Sequence, residues 1–580
     1  MTAPPPAPVV VVGNGPVGQT TALLLARWGV PSIVVDARPA RAAIGSRAIC
    51  QARDVLDIWA AVGAGRRIAA EGVTWTTART YHRGRELAAW SFVDHGRSPL
   101  PPMVNISQSR TEQVLAERVA AGPLIDERWS HEVTDIAQDA AGVTLTCATP
   151  AGPVLLRAGY AVLAAGAHSR PLRERLDVDF AGESYDDRFL ICDIRADLPD
   201  RRTERRFHFD PPGHADRQVL VHPCPDRTYR IDWQVPPDFD ADADAASGGL
   251  DRRVRSIVGD VPAEVVWRTV YRFHARCADR LRVGRVLLAG DCAHLVAPFG
   301  ARGLNSGVPD AENAAWKLAF VLRGWAPPEL LASFDAERRA AALENLAVTG
   351  ATMRFLAPQN PADERRRRDI LDRARTDPDA RRLIDSGRFA EPFWYVDSPL
   401  TTPDPDRPFP GRPPRGHPPA VAPGVLVPDA PIRRPAAAGV PGAAYLGAAA
   451  GFPGGSGDPP GPGGSGGWGD PVDRAGPAGP TGDSGWLRGI VRDGILLLTT
   501  DGITADAVAG ELAGLAAPIR VLPLAAIDPG GDVAAALGAR PGEVWLIRPD
   551  GHLGAVLTRP REGAARAAVR RVLGYPSGPT

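Results

Sequence analysis

The chain has 580 residues, 44% of them hydrophobic, enough for two to four domains with substantial cores. Its 67 basic and 67 acidic side chains cancel, which excludes a global field drawing it to nucleic acid or to an acidic membrane. Six widely scattered cysteines show neither CxxC nor metal-ligand spacing, so no structural metal is expected and a reducing, cytoplasmic setting is.

Taken in order, the first eight residues, MTAPPPAP, carry no positive region ahead of an apolar signal core, and no apolar run of membrane-spanning length follows. Val9 to Asp36 then read VVVVGNGPVGQTTALLLARWGVPSIVVD. Four valines predict a buried parallel strand, Val17 to Trp28 a helix, and Pro31 to Val35 a second strand ending at Asp36. In the turn between them Gly13 permits a sharp reversal, Gly15 lets backbone approach a pyrophosphate, and Gly18 lets helix and strand pack closely. Asp36, 23 residues after Gly13, stands where a carboxylate accepts hydrogen bonds from an adenosine ribose. The pattern predicts dinucleotide binding without choosing between FAD and NAD.

Arg47 reads either as a multi-donor cation for a cofactor phosphate or as an exposed arginine before the helix around Arg53 to Val62. Strand-like pieces at Val73–Trp75 and Trp90–Val93 precede a helix entered through Asn105 to Arg110. Further strands are predicted at Val143–Cys147, Val154–Leu156 and from Tyr160 toward Ala165 and Gly166. From Arg188 to Trp267 the strands Arg206–Phe209, Gln218–His222 and Thr228–Val235, separated by Pro, Gly and Asp turns, predict an antiparallel second sheet. Val286–Ala289 resumes the first layer and ends at Gly290-Asp291. The glycine-rich turn Pro298 to Gly307 then leads into a helix whose free N–H groups suit phosphate or developing negative charge. Between Gly451 and Gly485, 14 glycines and seven prolines fill 35 positions, a composition expected to be extended or disordered. Order is expected again from Ile495, as a small α/β unit with no cysteine and therefore no dithiol chemistry.

Taken together, these segments resemble the single-component aromatic hydroxylases of the class A flavoprotein monooxygenases, in particular phenol, 3-(3-hydroxyphenyl)propionate and polyketide hydroxylases. Gly13, Gly15, Gly18 and Asp36 match the family's FAD fingerprint, Arg47 its FAD-positioning arginine, and Gln108 its helix-start glutamine. Gly290-Asp291-Cys292-Ala293-His294 matches GDAAH, and Pro298 with Gly303-Leu304-Asn305-Ser306-Gly307 matches the flavin-contact loop. One departure is Ala165, where the family usually has an acid before Gly166; it bears on reduction by the nicotinamide. The terminal portion resembles a thioredoxin-like domain without CxxC, through Trp545 to Gly551.

The resemblance implies an α/β fold in which a Rossmann-type FAD-binding domain is interleaved with an antiparallel-sheet substrate domain and followed by the thioredoxin-like unit. The expected segments are FAD-binding at 1–75, 105–180 and 281–400, substrate sheet at 76–104 and 181–280, a Pro/Gly-rich connection at 401–485 and the terminal unit at 486–580. It also implies hydroxylation of a phenolic or polycyclic aromatic by NAD(P)H and dioxygen through C4a-hydroperoxyflavin. Pro298 would shape the wall beside the flavin. His222 and Tyr229 are candidates for handling the phenol and Trp233 for lining its pocket, although His222, beside Pro223, reads more readily as a turn residue and Tyr229 as sheet packing. Baeyer-Villiger oxygenation of a polyketide ketone is the nearest alternative, and a nonenzymatic flavin-binding or redox-sensing protein the more distant one. Expected partners are an aromatic small molecule, dioxygen and a second copy of the chain, with no nucleic acid and no membrane.

Overall fold

The structure, a computed structural model, describes residues 7–41, 48–91, 98–213, 217–414, 417–434, 444–446 and 484–576. A six-stranded sheet runs in the order Arg282–Val283, Val286–Leu288, Tyr160–Leu163, Val9–Val12, Ser32–Asp36, Ile125–Trp129. All neighbours are parallel except the hairpin at its first edge. Val9–Val12 is buried on both faces, which explains why its sequence is continuously apolar instead of alternating. Helices Pro16–Arg27 and Arg302–Leu322 pack against each other over this layer. Because Val12 registers with both Val35 and Leu163, and Leu163 with Leu288, the carboxyl ends of four strands meet at one rim. An antiparallel meander of Glu132–Gln138, Val143–Ala148 and Val154–Ala158 flanks the layer.

The second sheet has eight strands in the order His294–Leu295, Ala263–Ala278, Phe180–Ala196, Thr228–Val235, Gln218–Cys224, Glu204–Phe209, Thr77–His82, Arg85–Ser91. Its last two strands come from a distant stretch of sequence and join through a parallel pairing of Glu204–Phe209 with Thr77–His82. The sequence placed these strands at Val73–Trp75 and Trp90–Val93. In the structure Val73 makes only an isolated bridge to Asn105, and the hairpin turns at Arg83-Gly84, both at positive φ. That two-residue geometry favours a twist-compatible hairpin, and Arg-Gly is a weaker signal for it than Asn-Gly. Phe92 and Val93 lie outside the described residues.

A five-stranded sheet, ordered Ala444–Leu446, Ile519–Pro523, Ile495–Thr499, Glu543–Ile547, Leu553–Thr558, builds the terminal unit. Within the stretch read as an irregular connection, Pro431–Arg433 pairs with Ser484–Trp486; residues 447–483 lie outside the described ones. A single apolar cluster joins the first layer to the terminal unit, from Val9 and Trp316 through Leu330 to Ile495 and Leu573. Among the described residues no helix is long and apolar enough to cross a membrane.

Candidate active site

The rim where the four strands end is shaped by glycine. Gly13 has φ +105°, and a Cβ there would lie 2.4 Å from the Ala164 carbonyl oxygen; one on Gly18 would lie 1.8 Å from that of Gly13. Both must therefore be glycine for the turn and helix to close. Gly15 differs, because a Cβ built there meets no described atom within 4 Å. It opens onto space at the start of helix Pro16–Arg27, which has no side-chain cap and presents its first amides there. Asp36 accepts from Asn14 N (2.8 Å), Arg38 N (2.9 Å), and Arg38 Nε and Nη2 (2.9 and 2.8 Å). Burial opposes its ionisation, but these donors hold it below the usual carboxylate range. Arg47 lies outside the described residues. Gln108 starts the helix Gln108–Ala120, accepts from Ala48 N at 3.0 Å and donates to Glu112 at 2.8 Å.

The opposite side of the rim is the turn Gly290–Cys292 and the start of helix Arg302–Leu322. A Cβ on Gly307 would reach 2.7 Å from Val17 and 3.2 Å from the Gly290 Cα, so helix, turn and fingerprint are in close contact here. Asp310 Oδ2 accepts from Gly290 N (2.9 Å) and His294 Nε2 (2.7 Å), fixing the turn from inside. The next residue, Asp291, is half-buried at the rim. Ala301, at φ +58°, begins the long helix without a side-chain cap, and a Cβ on Gly303 meets no described atom within 4 Å. Leu304 is half-buried. Asn305 has its amide fully engaged: Oδ1 accepts from Ala52 N (2.9 Å), and Nδ2 donates to the Cys50 and Ala301 carbonyls (2.9 and 2.6 Å). It is thus a latch between strand Cys50–Ala52 and the helix start, with its side chain used up inside the protein. Pro298 is exposed, and its carbonyl accepts from Ala301 N at 2.9 Å to close the turn.

Beside Ala165, Arg173 donates to Ser169 Oγ (2.8 Å) and the Cys292 carbonyl (3.2 Å), while Ser169 Oγ donates to the Gly166 carbonyl (2.6 Å). The loop that lacks the family's acid is thereby tied to the Gly290–Cys292 turn.

Strand alternation decides which side chains of the second sheet face this rim. His222 pairs with Arg230 and Leu220 with Asp232, so these four share a face with Gln218 and Gln234. Leu220 packs with Phe189, Phe207, Phe209 and Phe273 against Phe299, next to Pro298. This face therefore meets the Pro298–Ala301 turn. Among the described residues, five polar atoms on four of its side chains are buried without a hydrogen-bond partner: both amide atoms of Gln218, His222 Nδ1, Asp232 Oδ1 and Gln234 Oε1. Burial, with the nearby Arg205 and Arg230 charges, keeps the His222 imidazole neutral, well below its usual value. Asp232, whose Oδ2 lies 3.9 Å from His222 Nε2, is pushed up to about 7 by burial.

Tyr229 corrects the sequence expectation. It lies on the other face with Val219, Val221 and Trp233, and its hydroxyl donates to the Leu198 carbonyl at 2.8 Å. Odd and even positions of Thr228–Val235 face opposite ways, so His222 and Tyr229 cannot serve one pocket. The sequence reading missed Asp232, Gln218 and Arg205. Only Asp232 had a sequence signal, the polar residue at every second position of Thr228–Val235.

Residues 6–349 match a family model described as an FAD binding domain. The chain is 30% identical over 380 residues to para-nitrophenol 4-monooxygenase of Pseudomonas sp. (strain WBC-3), covering 64% of this chain and 92% of that protein. The chain belongs to the class A FAD-dependent aromatic hydroxylases. With the 3-(3-hydroxy-phenyl)propionate/3-hydroxycinnamic acid hydroxylase of Mycolicibacterium smegmatis it shares 28% identity over 400 residues, 67% of this chain and 68% of the relative. Aklavinone-11 hydroxylase, solved with FAD and aklavinone, superposes at a TM-score of 0.73 with 23% identity, over 99% of this chain and 100% of that one. At that identity the likeness is one of fold. This chain is an FAD-dependent monooxygenase of aromatic compounds. Its rim suits FAD: two uncapped helix starts for anionic groups, open glycine cradles at Gly15 and Gly303, and a half-buried carboxylate at Asp291 for hydroxyls.

Proposed function

We propose that the protein hydroxylates a phenolic, polycyclic aromatic, with Gly13, Gly15, Gly18, Asp36, Arg47, Gln108, Gly290, Asp291, Gly303 and Leu304 holding FAD and Asn305 supporting them. Bound FAD supplies the redox and oxygen-transfer chemistry: NAD(P)H and dioxygen are consumed, one oxygen atom enters the ring and the other leaves as water. The amides at the start of Arg302–Leu322 place positive potential where negative charge develops. Pro298 forms the wall of the turn facing the phenylalanine-lined sheet. The observation that carries the substrate reading is the polar stripe of Gln218, His222, Asp232 and Gln234 within that apolar face. A buried donor or acceptor without a partner is costly, and an aromatic bearing several hydroxyl and carbonyl groups satisfies such a stripe. In the tautomer with hydrogen on Nε2, facing Asp232, His222 Nδ1 accepts the substrate hydroxyl. Drawing off that proton raises electron density at the ortho and para carbons, which favours attack by an electrophilic oxygen.

The division into FAD-binding and substrate segments given above belongs to this reading, as does a homodimer. So does a thioredoxin-like terminal unit. It is supported by the parallel pair Ile495–Thr499 and Ile519–Pro523 joined through helix Ala505–Leu512, followed by an antiparallel hairpin and helix Ala564–Val572.

The test is oxygen-dependent oxidation of NADH and NADPH by FAD-loaded protein across simple phenols, polycyclic phenols and polycyclic ketones, with mass analysis of products. Turnover stimulated by a polycyclic phenol, giving a phenolic product with one added oxygen, is expected. A lactone from a ketone would replace hydroxylation with Baeyer-Villiger chemistry.

A further inference from the structure

The terminal unit sends one fully buried cation into the first layer. Arg548, on the turn after Glu543–Ile547, has no exposed surface; its guanidinium donates to both Glu337 oxygens (2.6 and 3.0 Å) and to Asp550 (2.6 Å). Glu337 belongs to helix Ala332–Leu356 and also takes Lys317 Nζ at 2.6 Å and Asn313 Nδ2 at 2.7 Å, both from helix Arg302–Leu322. Trp316 of that helix donates to Asp550 at 3.2 Å.

From Asn313 the connection continues toward the rim. Asn313 Nδ2 and Arg338 Nη1 both donate to the Tyr395 hydroxyl, at 3.2 and 2.9 Å. Arg338 Nε donates to Asp310 Oδ1 at 2.6 Å, and Asp310 Oδ2 holds Gly290 N and His294. Every side chain in this path is nine-tenths or more buried. Cations Arg548, Lys317 and Arg338 are matched by carboxylates Glu337, Asp550 and Asp310. A buried charge is tolerated only with its partners in place, so the members hold one another in a single arrangement, and the Gly290–Asp291 turn is its last member.

We propose that Arg548 is a positioning residue for the FAD site: through Glu337, Asn313, Tyr395, Arg338 and Asp310 it fixes the Gly290–Asp291 turn. The terminal unit is then a working part of the cofactor site. This goes beyond the substrate reading and does not depend on it.

The experiment uses the full chain, apo and FAD-loaded, with Arg548→Met, Arg548→Lys and Tyr395→Phe. Arg407→Met is the control, because Arg407 pairs with Glu543 inside the terminal unit and lies outside the path. Four quantities are read: FAD dissociation by flavin fluorescence, the flavin absorption band, amide exchange of Gly290 in the apo protein, and the melting temperature. Arg548→Met is expected to weaken FAD binding about tenfold and shift the flavin band, with partial rescue by Arg548→Lys. Tyr395→Phe breaks the path at its midpoint while leaving Arg548 on Glu337; it is expected to speed Gly290 exchange and weaken FAD binding. Arg407→Met is expected to lower the melting temperature without moving the other three. If Arg548→Met does not fold, Tyr395→Phe decides alone. Wild-type FAD affinity, absorption and Gly290 exchange in Tyr395→Phe would overturn the proposal, as would equal loss of affinity in Arg407→Met at the same fall in melting temperature.

Discussion

Three glycines that look equivalent in the sequence have different duties, and substitution separates them. Gly13 and Gly18 are held by contact with backbone, whereas Gly15, with φ −90° and no neighbour within 4 Å, accepts a side chain without strain. Gly15→Ala is expected to keep the apo melting temperature and lose FAD affinity, while Gly18→Ala loses both; thermal melts paired with FAD titration check this. The same scale holds a pH prediction. Asp232 is pushed up to about 7 by burial, with Arg230 opposing and Asp193 reinforcing the shift. Because the ionised form stabilises the imidazolium that His222 becomes on taking a proton, kcat/KM should rise with pH through about 7. Asp232→Asn should remove that step, and an unchanged profile in the variant would take Asp232 out of the chemistry. The motif residues were legible because close backbone approach demands glycine at set spacings. Asp232 and Gln218 were not, since polar residues on separate strands acquire joint meaning only when register puts them side by side.

Elements show the same division. The Val9–Val12 strand, its helix and the strand ending at Asp36 were readable from apolar runs, as was the return of order at Ile495. Less so was the second sheet, where Phe180–Ala196 and Ala263–Ala278 are long strands with register shifts that blur a period of two. Helix Ala241–Ala246 went unread because it is short and made only of Ala and Asp. The joint between strand Cys50–Ala52 and helix Arg302–Leu322 was invisible, since its two sides are some 250 residues apart and one amide, Asn305, closes it. Asn305→Ala strands the Ala52 N–H and the Cys50 carbonyl. A cost of about 2 kcal/mol is expected from such losses, with weaker FAD binding because the helix start is freed. Urea unfolding of the apo protein measures the first and fluorescence titration the second. Wild-type values for both would mean the latch is redundant.

The buried network ties the whole molecule's stability to acid. Asp310 is held near 2 although burial opposes it, by His294, Arg338 and the Gly290 amide. Glu337 and Asp550 are likewise kept ionised below the usual carboxylate range, against burial, chiefly by Arg548. A carboxylate depressed in the folded state contributes stability that is complete above its unfolded pKa, about 4, and is lost as pH falls through the folded value. For Asp310 alone the contribution is about 2 kcal/mol. Through these three carboxylates the melting temperature should therefore fall steeply below about pH 4. Asp310→Asn should start lower at pH 7, because Arg338 and His294 lose their anion, and then fall less steeply. Since the same network ends at Gly290, flavin fluorescence should rise in step with unfolding on acidification. A melting temperature flat to pH 3 would remove these carboxylates from the stability of the fold, whereas FAD release well above the unfolding transition would locate the sensitive group at the rim itself.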